Sequence, residues 1–131
     1  MDDEQVKYYR SKLEFEIDPS DLFAALNAGE KVVVIDARQA HGYEREHIPS
    51  ALNLPHREMS ETTTGHLDRG ALYVTYCDGI GCNASTKGAL KMAQLGFNVK
   101  ELIGGLEWWK FDGYGTDGTA ASSGLAIECA C

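Results

Sequence analysis

Residues 73–87 read Tyr73-Val74-Thr75-Tyr76-Cys77-Asp78-Gly79-Ile80-Gly81-Cys82-Asn83-Ala84-Ser85-Thr86-Lys87, and their order decides the fold. A β-type run from Ala71 to Tyr76 passes through Gly79 and Gly81 into a helical pattern that opens near Asn83. Cys77 therefore falls where a strand ends, above a Gly-rich loop that leads into a helix N-terminus. Successive backbone N–H groups in such a turn form an anion-binding nest, and the helix dipole adds partial positive charge. A thiol held there loses its proton more readily, and thiolate is the nucleophilic form. Asn83 is expected to cap the helix through its side chain. The alternative for Cys77 is an inert cysteine buried at a strand end; the turn that follows it favours chemistry.

Outward from this stretch, helical and strand patterns alternate. Val32 to Ile35 is a continuous β-branched run, which predicts a strand buried on both faces of a parallel sheet. Asp36-Ala37-Arg38 follows at its carboxyl end. A short helix is predicted over Gln39–Glu46, then a short strand over Ser50–Leu54. Residues 56–70 are polar and leave loop and weak helix both open. Downstream, a helix is predicted from Ala84 to Leu95, with Leu90, Leu95, Ala89 and Ala93 as its core face. A strand over Val99–Ile103, a Gly104-Gly105 turn and a helix over Leu106–Phe111 complete the pattern. Trp108 and Trp109 read as the surface and the core of that last helix. Near the N-terminus, Leu13, Phe15 and Ile17 alternate and predict a half-buried strand over Ser11–Ile17. Asp18-Pro19 reads as N-cap and first helical position, with Leu22, Phe23 and Leu26 on one face and Gly29 as the stop. Strands alternating with helices define the α/β class with a mostly parallel sheet. Ligands of such sheets bind beyond the carboxyl ends of the strands, where Asp36 and Cys77 both fall.

With 131 residues the chain is long enough for one core, and its longest apolar run is far too short to span a bilayer. A net charge of −8 argues against nucleic acid or an anionic membrane as partner. Met1-Asp2-Asp3-Glu4 lacks the basic-then-apolar order of a secretory signal. Cys77, Cys82, Cys129 and Cys131 do not have the spacing of a disulfide framework. His41, His47, His56 and His66 form no metal-binding pair, and no cofactor or metal is expected. A cytoplasmic protein with mostly reduced thiols is the expectation. Residues 113–131, rich in Gly, Ser and Thr, are expected to form a flexible tail ending in Cys-x-Cys.

Three signatures resemble the rhodanese-like (sulfurtransferase) domain family. The first is Val34-Ile35-Asp36-Ala37-Arg38, then Tyr43, then His47-Ile48-Pro49-Ser50-Ala51-Leu52-Asn53-Leu54-Pro55. The second is Tyr76-Cys77 with its Gly-containing loop and helix. The third is Leu95-Gly96-Phe97, Gly104-Gly105-Leu106 and Trp108-Trp109. Together they cover about residues 14 to 112, with residues 1–112 as the single domain. The resemblance implies a five-stranded, mostly parallel sheet flanked by helices. It also implies a Cys77 that carries sulfur as a persulfide from a small sulfur donor to a thiol acceptor. Asp78, Gly79, Ile80, Gly81, Cys82 and Asn83 would surround that sulfur with N–H groups. Asp36, Arg38 and His47 would be structural.

Two departures from the family pattern bear on chemistry. The loop runs about one residue longer than in typical single-domain members, as in related phosphatases and arsenate reductases. Those enzymes close the loop with an Arg, whose fork balances a tetrahedral oxyanion. Asn83 stands there instead, so phosphate chemistry is disfavoured and thiosulfate is expected to be a poor donor. The second departure is Cys82, which either resolves an oxidised Cys77 through a disulfide or fills the helix start as a small apolar residue. Cys129 and Cys131 either relay sulfur or electrons or form an accidental end. Two further functions stay open: a non-catalytic interaction or regulatory module, and a thiol redox sensor using a Cys77–Cys82 disulfide.

Overall fold

Val32–Asp36 (β2) and Leu72–Tyr76 (β4) pair in parallel along all five of their positions, and they form the centre of the sheet in the computed structural model, which describes residues 3–128. Asn98–Leu102 (β5) flanks β4, and the two-residue strands Glu16–Ile17 (β1) and Leu52–Asn53 (β3) are the edges. The order is β1-β5-β4-β2-β3, and every pairing is parallel. The sheet is therefore wholly parallel, and its central strands are apolar on both faces because helices cover both.

The side-chain period of two divides these strands between two cores. Val34, Val74 and Tyr76 pack with Leu22 of Pro19–Asn27 (α2) and with Leu106 and Trp109 of Gly105–Phe111 (α6). Ile35 and Tyr73 pack on the other face with Met59, Phe97 and Met92 of Ala84–Gln94 (α5). Trp109 is fully buried and Trp108 is exposed, so the last helix presents one indole to each side.

Asp18 caps α2, its Oδ1 accepting from the Asp21 N–H at 2.8 Å. Residues 40–45 form a short helix (α3). The undecided stretch contains a 3₁₀ turn, His56–Glu58, and a short helix, Glu61–Thr64 (α4). Ser60 Oγ accepts from the Thr63 N–H while Thr63 Oγ1 accepts from the Ser60 N–H, a reciprocal cap with Thr in place of the usual Glu.

Four expectations are corrected. The strand over Ser11–Ile17 is mostly helix: Asp3–Phe15 (α1) carries Leu13 and Phe15, both exposed, and only Glu16 and Ile17 pair with the sheet. Alternation misled there because the apolar positions serve a helix that buries no residue. The buried face of α5 is Ser85, Gly88 and Met92; of the residues expected there, Leu95 at the C-cap does pack against the core, whereas Leu90 and Ala93 are exposed. Gly88 lets the helix approach Ala37 and Met59 closely, so a residue with no side chain lies at the centre of the inward face. Asn83 stands at the N-cap but makes no side-chain cap bond. Its φ of −102° and ψ of 12° depart from the extended geometry that aims a capping side chain at the first turn.

The fourth concerns the Gly/Ser/Thr-rich segment, whose described part, residues 113–128, is not free of the domain. Asp117 exchanges backbone hydrogen bonds with His47, Tyr114 stacks on Phe23, and Ile127 packs against the core. The anchor is Glu46, whose carboxylate accepts from Thr116 Oγ1 and Ser122 Oγ. Cys129 and Cys131 lie outside the described residues.

Candidate active site

Cys77 follows the last residue of β4, and α5 begins at Ala84, so Cys77 to Asn83 make a seven-residue loop over the carboxyl edge of the sheet. The loop is held from two sides. The N–H groups of Leu106 and Glu107 at the start of α6 donate to the carbonyls of Cys77 and Asp78, both at 2.9 Å. This approach needs Gly105, whose φ is 59° and where any Cβ would overlap the Cys77 carbonyl. From below, Arg38 Nη1 donates to Asp78 Oδ1 at 2.9 Å.

Arg38 in turn rests on Asp36. Its Nη2 and Nε reach the carboxylate at 2.7 and 3.0 Å, and its backbone N–H adds a bond at 2.9 Å. The Tyr76 hydroxyl donates to the same carboxylate at 2.8 Å and accepts from the Ile48 N–H at 3.1 Å. Asp36 is thus completely buried but fully partnered. Burial works against the Arg38 charge, yet Asp36 and Asp78 outweigh it and raise its pKa further. Burial, and then the Asp36 charge, push the Tyr76 hydroxyl well above its ordinary range. Asn53 Nδ2 donates to the carbonyls of Asp36 and Arg38, joining β3 to this base. His47 lies away from the sulfur: its Nδ1 is 2.7 Å from the Tyr43 carbonyl and its ring stacks on Tyr43.

Above the base lies a cleft of about 580 Å³ whose walls include Arg38, His41, Arg45, Glu46, His56, Cys77, Asp78, Cys82, Glu107 and Lys110. Cys77 is buried at its floor. Among the described residues, no acceptor takes the backbone N–H groups of Gly79, Ile80 or Gly81, while the Cys82 N–H turns back to the Gly79 carbonyl. The loop thus leaves three donors without a protein partner between Cys77 and the N-terminus of α5. Cys77 and Cys82 are joined as a disulfide, their Cα atoms 6.1 Å apart. These two sulfurs and the Asp78 carboxylate bring three potential metal-ligand atoms within 4.8 Å, although the sulfurs are bonded to each other and Asp78 takes Arg38.

Several cleft residues were missed in the sequence. Arg45 has no acidic partner among the described residues, so the cleft holds a cation although the loop has none. Lys110 is spent on Glu46 at 2.9 Å. Burial and then the nearby Lys87, Arg57 and Lys91 lower the pKa of His56, which favours its neutral form. The signal for His56 was its place just after β3, beyond the carboxyl edge of the sheet. Arg45 gave none, being the last residue of a short polar helix.

A wholly parallel five-stranded sheet with a cysteine-bearing loop at its carboxyl edge defines a rhodanese-like α/β domain. The sequence matches the Rhodanese-like domain family over residues 18–112, and the chain belongs to that family. Among curated relatives it is similar to an HTH-type transcriptional regulator of Mycobacterium tuberculosis, 31% identical over 104 residues, which are 77% of this chain. The aligned part spans only 44% of that regulator. It is also similar to the thiosulfate sulfurtransferase GlpE of Coxiella burnetii, 36% identical over 81 residues, covering 60% of this chain and 72% of GlpE. Among solved structures, the BH2092 protein of Bacillus halodurans superimposes with a TM-score of 0.86 at 42% identity, covering 90% of this chain and 87% of the other. A thiosulfate sulfurtransferase of Pseudomonas aeruginosa does so with a TM-score of 0.66 at 26% identity, covering 75% of this chain and 19% of the other. No helix of the described residues is long and apolar enough to cross a membrane.

Proposed function

We propose that this chain is a sulfurtransferase that carries sulfane sulfur as a persulfide on Cys77 and passes it to a thiol. The observation that supports this reading is a buried cysteine lining an open cleft, at the head of a loop whose Gly79, Ile80 and Gly81 N–H groups have no acceptor among the described residues. In the reduced protein the Cys77 thiolate attacks the outer sulfur of a donor and the donor's remaining part leaves with the bonding electron pair. A thiol acceptor then attacks the outer sulfur of the persulfide, takes it, and returns Cys77 as thiolate. Loop dipoles and the α5 N-terminus stabilise both anions. The disulfide form holds no nucleophile, so this activity belongs to a reducing compartment such as the cytoplasm. The similarity to GlpE supports the chemistry.

The test is to reduce the protein, expose it to glutathione persulfide and weigh it. Native protein is expected to gain one sulfur atom on Cys77, at least transiently, and Cys77→Ser to lose loading by more than about a thousandfold. Loading that persists in that variant removes Cys77 from the role. One observation favours a second reading, a redox-sensing module: the Cys77–Cys82 disulfide itself. The similarity to a transcriptional regulator is compatible with it. Thiol titration under mild peroxide, compared with sulfur loading, separates the two.

A further inference from the structure

We propose that Cys82 discharges the Cys77 persulfide, so that the protein releases hydrosulfide and is left as the Cys77–Cys82 disulfide. This rests on Cys77 being the sulfur carrier, and it adds a second outlet to that chemistry. In the step, the Cys82 thiolate attacks the inner sulfur, Cys77 Sγ. A Cys82–Cys77 sulfur bond forms, the bond to the outer sulfur breaks, and the outer sulfur leaves as hydrosulfide with the electron pair. The sulfane sulfur is reduced and the two cysteines are oxidised together. A dithiol reductant then restores both thiols and is itself oxidised to a disulfide.

The loop geometry selects this course. The two Cα atoms are 6.1 Å apart, inside the range that a disulfide bridges without moving backbone, and the sulfurs are in fact joined. Attack on the outer sulfur would instead need Cys82 to stop one sulfur short of Cys77, whereas the chain carries it to Cys77 Sγ itself. The Cys82 N–H bond to the Gly79 carbonyl folds Cys82 back over the loop. The α6 bonds to the Cys77 and Asp78 carbonyls fix the other end. Cys82 is also two residues before α5, where the helix N-terminus favours its thiolate. Displacement places nucleophile, central sulfur and leaving sulfur in line, so the outer sulfur departs on the side away from Cys82. Cys77 and Cys82 both line the cleft, which gives a small anion a way out. Since both partners sit in one short loop, the step is intramolecular and outruns attack by a dilute external thiol.

The test is a single turnover of fully reduced protein with one equivalent of glutathione persulfide and no other reductant. Released sulfide and the intact mass are followed after rapid alkylation. Native protein is expected to release sulfide and end two hydrogens lighter, with Cys77 and Cys82 blocked to alkylation. In Cys82→Ser the sulfur is expected to stay on Cys77, with sulfide release slowed at least about tenfold. If that variant does not fold, the native mass and sulfide stoichiometry decide alone. A native protein that keeps its persulfide overturns the release step and leaves the sulfur-carrying role standing. So does sulfide release at equal rates in both proteins. A native protein that takes up no sulfur and releases no sulfide overturns both.

Discussion

Glu46 and Cys77 line the same cleft, yet their polar surroundings are opposite. The Glu46 carboxylate is saturated by Lys110, Thr116 and Ser122. Burial alone would raise its pKa, but those hydrogen bonds win and hold it at about 2. Around Cys77, the N–H groups of Gly79, Ile80 and Gly81 have no acceptor among the described residues. An anion present in every molecule recruits donors from distant sequence and organises the chain around itself. An anion that comes and goes needs donors kept idle, and idle donors lower stability when they are desolvated. The open loop is therefore supported by carbonyl bonds to α6, by Arg38 and by the Cys82 N–H, and not by the N–H groups of Gly79, Ile80 and Gly81.

The largest expected effect strikes that support. Arg38→Ala leaves a buried Asp36 carboxylate without its cation and is expected to cost about 3–5 kcal/mol in urea unfolding. A loss under about 1 kcal/mol, the range of an exposed ion pair, would show that the loop does not depend on this base. The next effect fills the idle side. Asn83→Arg adds a cation where the loop meets α5 and is expected to improve thiosulfate use by about 1.5–3 kcal/mol at most. Efficient native turnover with thiosulfate, or no gain in the variant, shows that dipoles alone suffice for a dianion.

Glu46→Gln tests the saturated side. Its expected loss is about 1–3 kcal/mol, with faster proteolysis of residues 113–128. The pH dependence has a definite sign, because the folded pKa of Glu46 lies below its ordinary value. Its contribution is complete above about 4.5 and is lost as pH falls toward about 2, so stability should fall across that window. The variant should show a flatter fall there; an unchanged profile would remove Glu46 as anchor. The smallest effect lies outside both centres. Ser50 has a φ of 71°, where a side chain is strained. Ser50→Gly should raise stability by up to about 1 kcal/mol in thermal unfolding, without altering sulfur loading.

The central fold was legible because Val32–Ile35 and Ala71–Tyr76 carry their own burial in their composition. The Cys77 loop was legible because its glycines and its cysteine are adjacent in sequence. Glu46 was not, since its hydroxyl partners Thr116 and Ser122 stand about seventy residues away and look like linker. Leu13 and Phe15 misled because a helix with no buried residue leaves its apolar positions without a diagnostic period. The core face of α5 was misassigned because Gly88 contributes closeness and not hydrophobicity. The α4 cap was missed because Thr63 performs the role usually read from Glu.

The bonds from Leu106 and Glu107 to the Cys77 and Asp78 carbonyls have a consequence for moving this loop elsewhere. A peptide unit is planar and trans, so fixing one carbonyl turns the next residue's N–H the opposite way. The start of α6 thereby sets the polarity of the first two peptides after the sulfur, including the N–H of Gly79. A transplant of residues 77–83 alone onto another strand–helix junction would carry the thiols without that orientation. A transplant that brings residues 105–107 alongside would carry both, and comparing the two grafts by thiol pKa would measure what the template contributes.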